Sequence, residues 1–521
     1  MGSVPCLSSQ KQRFPVAKWL GWSLLAVAIG LAMSHLLEMR TLWLDEAMLS
    51  LNYTARGWLG LLKPLRSYQV APIGYLFLSK AAFHLLPGFI GLRLVSFGAY
   101  LASIFFLWRG LNWGNWASAS GQTHSSPASL ITATFAATPI LMRYSHEVKQ
   151  YMFDAMAWTV AFAALMGLLH GALQWKRRDH FLLLAMMGPA LLSVSNTSVF
   201  VLAAWGATWL GHLLSQGLAR DEAQKLLWRR TLVVFGIWGL SFLAYYAAFA
   251  FKHPAKNFML TFWTAKDAFM PLSLHEMLGW LLMSFKGVTV FILQTTLSSW
   301  AMIAISLGLG WGAWSARRLL RSGWMPLFFL LPPALHLFAS SLEMYPFHSR
   351  LAIWHVPGMM VLVGLAFAQT DPTKSRLIAT SALSLLAITF LTLDRTDIAQ
   401  KTDDFTRAIE FLDERPEATI IVHFSLGPGF AFHQQLTENL TDKAFQVIGD
   451  FKLKTLNEVA GVAAGLVSAT DAYYLGPDAP TFPVYKAADD AFRAALQENG
   501  LGLEEIPSRD RTKLFHIVKQ P

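Results

Sequence analysis

The 521-residue sequence contains a single cysteine, Cys6. That excludes a disulfide framework, an iron–sulfur site and a cysteine-based zinc site. Charge is scarce too: 14% of residues are Asp, Glu, Lys or Arg, against about 25% in soluble domains. Acids are rarest in residues 1–393, which hold 12 of the chain's 32. With 54% of residues in the hydrophobic set and a mean hydropathy of +0.41, a disordered chain, a fibre and an ordinary soluble enzyme are excluded. A polytopic membrane protein remains. No stripe of bases interleaved with aromatics is present, which argues against a nucleic-acid partner.

What is abundant fits a membrane. Twenty Trp and 37 Phe suit chains whose rings sit at lipid–water interfaces. The net charge of +10 averages two unlike parts. Residues 1–393 carry 29 bases and 12 acids, whereas residues 394–521 carry 13 bases and 20 acids. The first part is an apolar, basic membrane region. The second has ordinary soluble composition.

A span needs about 20 mainly apolar residues. Such runs lie near 19–37, 90–109, 127–141, 152–170, 181–194, 198–215, 232–250, 297–315, 324–341, 352–368 and 377–393. Lys11, Arg13 and Lys18 hold residues 1–18 in the cytoplasm, and no small-residue cleavage site follows span one, so it reads as an uncleaved anchor. Two further apolar stretches, 71–87 with Lys80 and His84, and 279–295 with Lys286, read as interfacial or re-entrant helices. Leaving both uncounted puts Lys176–Arg178, Arg220–Arg230, Arg317–Arg321 and Lys374–Arg376 in the cytoplasm, as the positive-inside bias requires. The expected architecture is an all-α polytopic domain of about 11 transmembrane helices over 19–393. A small extracytoplasmic α/β domain follows over 394–521. In that tail, 403–414 reads as a helix starting at Asp403 or Asp404. Residues 419–424, 472–477 and 514–518 read as strands.

The outer loops still hold many bases, among them Arg56, Lys63, Arg66, Lys80, Arg143, Lys149, Lys266 and Arg350. They are either structured loops that escape the charge bias or a basin for an anionic phosphate at the outer leaflet. No acid lies clearly mid-span, which argues against an ion-coupled transporter. Three outer clusters stand out. In Trp43-Leu44-Asp45-Glu46-Ala47, the acids can cap and complement a short helix, or act chemically. In Arg143-Tyr144-Ser145-His146-Glu147-Val148-Lys149-Gln150-Tyr151, Tyr144, Glu147 and Tyr151 share a face on an ideal helix, and Lys149 faces elsewhere. In Tyr345-Pro346-Phe347-His348-Ser349-Arg350, Arg350 can snorkel to headgroups or grip a phosphate with paired hydrogen bonds.

Together these segments resemble the GT-C superfamily of integral-membrane glycosyltransferases. The bacterial group meant is that similar to protein O-mannosyltransferases, lipid A aminoarabinose transferases and rhizobial galacturonosyltransferases. The resemblance covers most of 19–393, with Pro357 and the Asp404-Phe405…Phe411-Leu412 segment as further carriers. One departure stands out. Such proteins often carry His-Pro-Pro-Leu in the first loop, where this chain reads Gln69-Val70-Ala71-Pro72-Ile73-Gly74-Tyr75.

The resemblance implies sugar transfer from a polyprenyl-phosphate donor to a hydroxyl on a lipid, glycan or protein. It would take place at the outer face of a bacterial inner membrane. It implies no required cofactor, with a divalent cation bridging the acids as an open alternative. Chemistry then assigns roles. Asp45 would take the acceptor proton, with inversion at the sugar carbon, and Glu46 or Glu147 would orient hydroxyls. Lys80 and Arg350, with Tyr75, Lys149 and His348 behind them, would hold the leaving phosphate. The other readings are a flippase or transporter of lipid-linked glycans and a non-catalytic membrane scaffold.

Overall fold

The computed structural model describes residues 15–37, 41–113, 128–217, 221–251, 253–294, 305–312, 314, 323–368, 374–397, 406–437, 440, 443–450, 456–477, 483–507 and 512–520. Among them, seven helices are long and apolar enough to cross a membrane, and shorter apolar helices accompany them. The helices are α1 (Pro15–Leu37), α2 (Leu44–Ala55), α3 (Ile73–Leu85), α4 (Phe89–Trp113), α5 (Ala128–Ala136), α6 (Pro139–Ser145), α7 (Tyr151–Leu169), α8 (Arg178–Val194), α9 (Ser198–Ser215), α10 (Glu222–Tyr245), α11 (Lys256–Thr264) and α12 (Leu274–Leu293). Apolar helices Met325–Ser341, Val356–Ala368 and Lys374–Asp397 follow. The chain is a multi-pass membrane protein.

The chain divides into two compact units. The first comprises residues 1–35, 96–146 and 150–395 and is helical. Its helices pack closely through small residues, as expected where lipid offers no hydrophobic drive between helices. At Gly188 of α8 any Cβ would collide with the Trp238 ring of α10. The Trp238 indole donates to the Leu184 carbonyl at 3.0 Å. Outward-facing Leu240 and Leu282 are 70% and 74% exposed, which suits contact with acyl chains.

Two elements differ from the sequence reading. The run 127–141 is interrupted: α5 ends at Ala136 and Pro139 opens α6. Proline cannot donate into a continuing helix, so the chain restarts there. Of the stretch 279–295, expected to be interfacial, residues 279–293 belong to a continuous 20-residue helix, α12, with the length and apolarity of a span. One lysine in such a helix can snorkel. By contrast α3, at 13 residues, is too short to cross, in keeping with an interfacial helix. The span expected over 297–315 lies mostly outside the described residues, as do Asp403 and Asp404.

The second unit comprises residues 36–95, 147–149 and 396–521. It joins the first loop to the C-terminal α/β fold. That fold is a five-stranded sheet of order β2-β1-β3-β5-β4, with β1 (Thr419–His423), β2 (Phe445–Ile448), β3 (Ala472–Pro477), β4 (Leu501–Ile506) and β5 (Thr512–Lys519). β2, β1 and β3 run parallel; β5 is antiparallel to both β3 and β4. The period of two along each strand sends alternate residues to opposite cores. Ile420, Val422, Tyr473 and Leu475 face one, with Leu412 and Phe430. Ile421, Tyr474, Phe515 and Ile517 face the other, with Phe492 and Leu496. The helix Gly427–Gln434 packs along α2. Its Phe432 ring lies 5.7 Å from Phe89, and His433 lies 4.7 Å from the same ring.

Candidate active site

The acidic cluster sits in the first turn of α2. Trp43 is extended and caps the helix, and its N–H donates to Glu46 Oε2 at 3.3 Å. Glu46 Oε1 accepts the Val148 N–H at 2.7 Å. Both oxygens of this fully buried carboxylate are therefore committed to backbone donors. Glu46 fastens residues 147–149 to the helix start. Asp45, its neighbour, points differently: about a quarter of its side chain is exposed, 24%. The positive end of α2 favours a carboxylate there.

The second cluster is not the helical face that the ideal geometry predicts. α6 ends at Ser145 and α7 begins at Tyr151. Between them the chain turns tightly, with the Lys149 N–H donating to the Glu147 carbonyl at 2.8 Å. Tyr144 and Tyr151 still meet across the break, edge to face at 5.2 Å. Glu147 is buried. The turn redirects Lys149, whose Nζ lies 3.9 Å from Asp45 Oδ2 and donates to Gln69 Oε1 at 2.8 Å. Ser67 and Tyr68 adopt left-handed backbone just before Gln69. Non-glycine residues do this at a cost. Gln69, which stands near the usual His of the resemblance, thus steadies the ammonium beside Asp45.

Lys80 is placed otherwise. Its Nζ donates to the carbonyls of Tyr53 at 2.8 Å and Arg56 at 2.7 Å, capping the C-terminal end of α2. Burial lowers its pKa from the ordinary lysine value. Two of its three donors serve the scaffold. Tyr75 is fully buried beside Tyr53, whose hydroxyl pKa is pushed well up by burial and then by Tyr75.

In the helical unit, Arg350, Lys266 and His348 gather around Trp263. The Arg350 guanidinium lies 6.0 Å from the Trp263 ring and 5.8 Å from the Tyr151 ring. Lys266 Nζ lies 5.7 Å from Trp263 and 4.3 Å from Phe262. The His348 ring is 5.5 Å from Trp263, with Nδ1 2.6 Å from Ser349 Oγ. Burial, then Lys266, then Arg350 lower the His348 pKa, so near neutral pH it is an uncharged donor between two cations. The sequence reading had Lys266 only among scattered bases; 84 residues of separation carry no local signal of the pairing.

One acid was passed over altogether. Asp154 lies in the first turn of α7, is 3% exposed, and accepts the Ser195 hydroxyl at 2.6 Å. Within an apolar run it reads as part of a span, yet it sits at the helix end.

Among the described residues, no three His, Cys, Asp or Glu side chains are grouped to hold a metal.

No protein-family model matches the chain, and no curated protein matches it significantly. Solved structures do. ArnT from Cupriavidus metallidurans bound to undecaprenyl phosphate is 14% identical with a TM-score of 0.55, over 96% of this chain and 98% of that one. Its apo state gives the same identity and score over 95% and 98%. The Archaeoglobus fulgidus oligosaccharyltransferase in complex with Zn and sulfate is 12% identical with a TM-score of 0.50, over 96% of this chain and 73% of that one. At such identities the likeness is one of fold: this chain shares the fold of ArnT and of the archaeal oligosaccharyltransferase.

Proposed function

We propose that this protein is a glycosyltransferase that moves a sugar from a polyprenyl-phosphate donor to a hydroxyl acceptor at the outer face of a bacterial inner membrane. Residues 394–521 would lie on that face and the N-terminus in the cytoplasm. The observation that carries the reading is the contrast between Asp45 and Glu46. One carboxylate is locked into backbone hydrogen bonds, while its neighbour keeps an exposed face beside Lys149. Undecaprenyl phosphate bound to a protein of the same fold supports the donor class.

The step is a single displacement. The acceptor oxygen bonds to the anomeric carbon as the bond from that carbon to the phosphate oxygen breaks. The electron pair leaves on the phosphate, and the acceptor proton passes to Asp45. A carboxylate suits the proton transfer. Fixed cations in a poorly hydrated site stabilise charge growing on the leaving phosphate, and by their charge Arg350 and Lys266 would supply that stabilisation. An arginine fork matches phosphate oxygens in pairs. A phosphate leaves without protonation, so no general acid is needed. Lys149 orients Asp45, and Glu147 braces the turn that carries Lys149. Lys80 and Tyr75 hold the α2–α3 scaffold more than the phosphate.

The test uses purified protein in vesicles with labelled polyprenyl-phosphate hexose and an envelope extract as acceptor. The expected result is release of polyprenyl phosphate together with label on a lipid, glycan or protein. Donor that crosses the bilayer intact, with no release, favours the flippase reading instead.

A further inference from the structure

Groups from three further segments of the helical unit act on Asp154 at the start of α7: Ser195 in the turn between α8 and α9, Tyr245 at the end of α10, and Tyr345 after Met325–Ser341. The Ser195 hydroxyl donates to Asp154 and lies 3.2 Å from Thr197 Oγ1. Beside this anchor, the Tyr245 hydroxyl donates to Asn196 Oδ1 at 3.1 Å. Among the described residues the Asn196 amide makes no other hydrogen bond, and the Tyr345 hydroxyl makes none. Asn196, Tyr245 and Tyr345 are all only partly buried. Tyr345 packs edge-on against Phe200 at 5.9 Å. Asp154 acts electrostatically on both phenols. Burial, then Asp154, then Tyr151 push the Tyr345 hydroxyl pKa well up, keeping it a protonated donor. Tyr151, in turn, lies under the Arg350 guanidinium.

Together these residues offer an open amide, two phenols and an aromatic face, with the buried Asp154 carboxyl beside them and Arg350 over the neighbouring Tyr151 ring. Open neutral donors and acceptors beside an aromatic ring match a ring bearing hydroxyls. A structural explanation covers Ser195 and Thr197, which tie α9 to Asp154, but leaves the amide of Asn196 and the hydroxyl of Tyr345 unused. Both groups are only partly buried and make no further hydrogen bond among the described residues, which leaves them available to a polar ligand.

We infer that Asn196, Tyr245 and Tyr345 form the subsite that reads the hydroxyls of the donor's sugar ring, next to the cations that hold its phosphate. This rests on the donor reading above. Among the described residues Asn196, Tyr245 and Tyr345 present neutral donors and acceptors and no cation, so the subsite takes a neutral sugar in preference to a uronic acid, whose carboxylate would lose hydration without gaining a cationic partner.

Three probes test this by quenching of tryptophan fluorescence on the full-length protein in detergent: bare polyprenyl phosphate, the same carrier bearing glucose, and the carrier bearing glucuronic acid. The wild type should bind the glucosyl carrier about 10-fold more tightly than the glucuronosyl carrier. Asn196→Ala and Tyr245→Phe should each weaken the glucosyl carrier about 10-fold, the effect of one lost hydrogen bond to a ligand, and leave the bare carrier within about 2-fold. Arg350→Ala should weaken all three. Tyr245→Phe removes one oxygen and guards against misfolding of the Asn196 variant; unchanged affinity for the bare carrier reports intact fold. Equal losses for bare and glucosyl carriers, or none for either, overturn the subsite while leaving the phosphate role of Arg350 standing. A wild-type preference for the glucuronosyl carrier overturns its charge selectivity. Binding of no carrier by the wild type removes the donor reading and this inference with it.

Discussion

In the first loop, within the unit built from 36–95, 147–149 and 396–521, several polar side chains are spent on backbone. Glu46 takes two N–H groups, Lys80 takes two carbonyls, and Asn52 Oδ1 takes the Arg66 N–H at 2.9 Å. Beside the buried Glu46, Asp45 keeps an exposed face, 24%. In the helical unit, the notable polar groups instead line aromatic surfaces: Arg350 and Lys266 over Trp263, Tyr345 against Phe200. The unit that contains the first loop sets Asp45 beside side chains bound to backbone or to Gln69. The helical unit beds cations and phenols on rings. Chemical type alone does not separate a scaffold residue from an acting one: Asp45 and Glu46 are adjacent, as are Ser195 and Asn196. What separates Asp45 from Glu46 is exposure: Glu46 is fully buried against backbone N–H groups, whereas Asp45 is 24% exposed.

That contrast can be broken in several ways. The largest effect belongs to Asp45→Asn, which should lower kcat about 10²–10⁴-fold and leave donor affinity nearly unchanged in steady-state transfer assays. Next is Arg350→Ala, which should cut kcat/KM for the donor about 10²-fold. Lys266→Ala should fall short of it, and an unchanged donor dependence in both would exclude the aromatic basin as the phosphate site. Glu46→Gln should act on the fold. It converts one buried acceptor into a donor facing an N–H, at a cost of about 1.5–3 kcal/mol, seen as a lower thermal midpoint in detergent. A Glu46→Gln protein of wild-type stability that transfers no sugar would make Glu46 chemical after all.

Two lysines sharpen the comparison further. Lys149→Met should lower kcat several-fold at unchanged stability, whereas Lys80→Met should lower stability more than turnover, because two carbonyls lose their donor. The smallest effect concerns His348. Its folded pKa lies below the ordinary value of 6.5, so the unfolded chain binds this proton first on acidification. Stability should therefore decline as pH falls from about 6.5 through the folded pKa, and His348→Gln should flatten that decline in thermal melts.

Much of this was legible in the sequence because membrane composition makes acids rare. With 12 in 393 residues, Asp45 and Glu46 stood out before any fold was known. Their division of labour did not, since it depends on Val148, 102 residues from Glu46. The helical pattern of 143–151 hid the turn that aims Lys149, and a left-handed turn at Ser67 and Tyr68 decides where Gln69 points. In the sheet, β1, β3 and β5 carried clear apolar runs. β2, Phe445–Ile448, and β4, Leu501–Ile506 with two glutamates, lie at the sheet edges, where one open flank relaxes the demand for apolar residues. Asp154 escaped notice because hydropathy places it inside a run, whereas only tertiary structure shows groups from three further segments acting on it.

The central claim is one direct displacement at the anomeric carbon of a phosphate-linked sugar, with the proton taken by Asp45. NMR of the product formed by the wild-type protein from a donor of known anomeric configuration tests it most directly. Inversion, lost together with the product in Asp45→Asn, is the predicted result. Retention of configuration would require a covalent sugar intermediate or a second displacement, and would contradict the account.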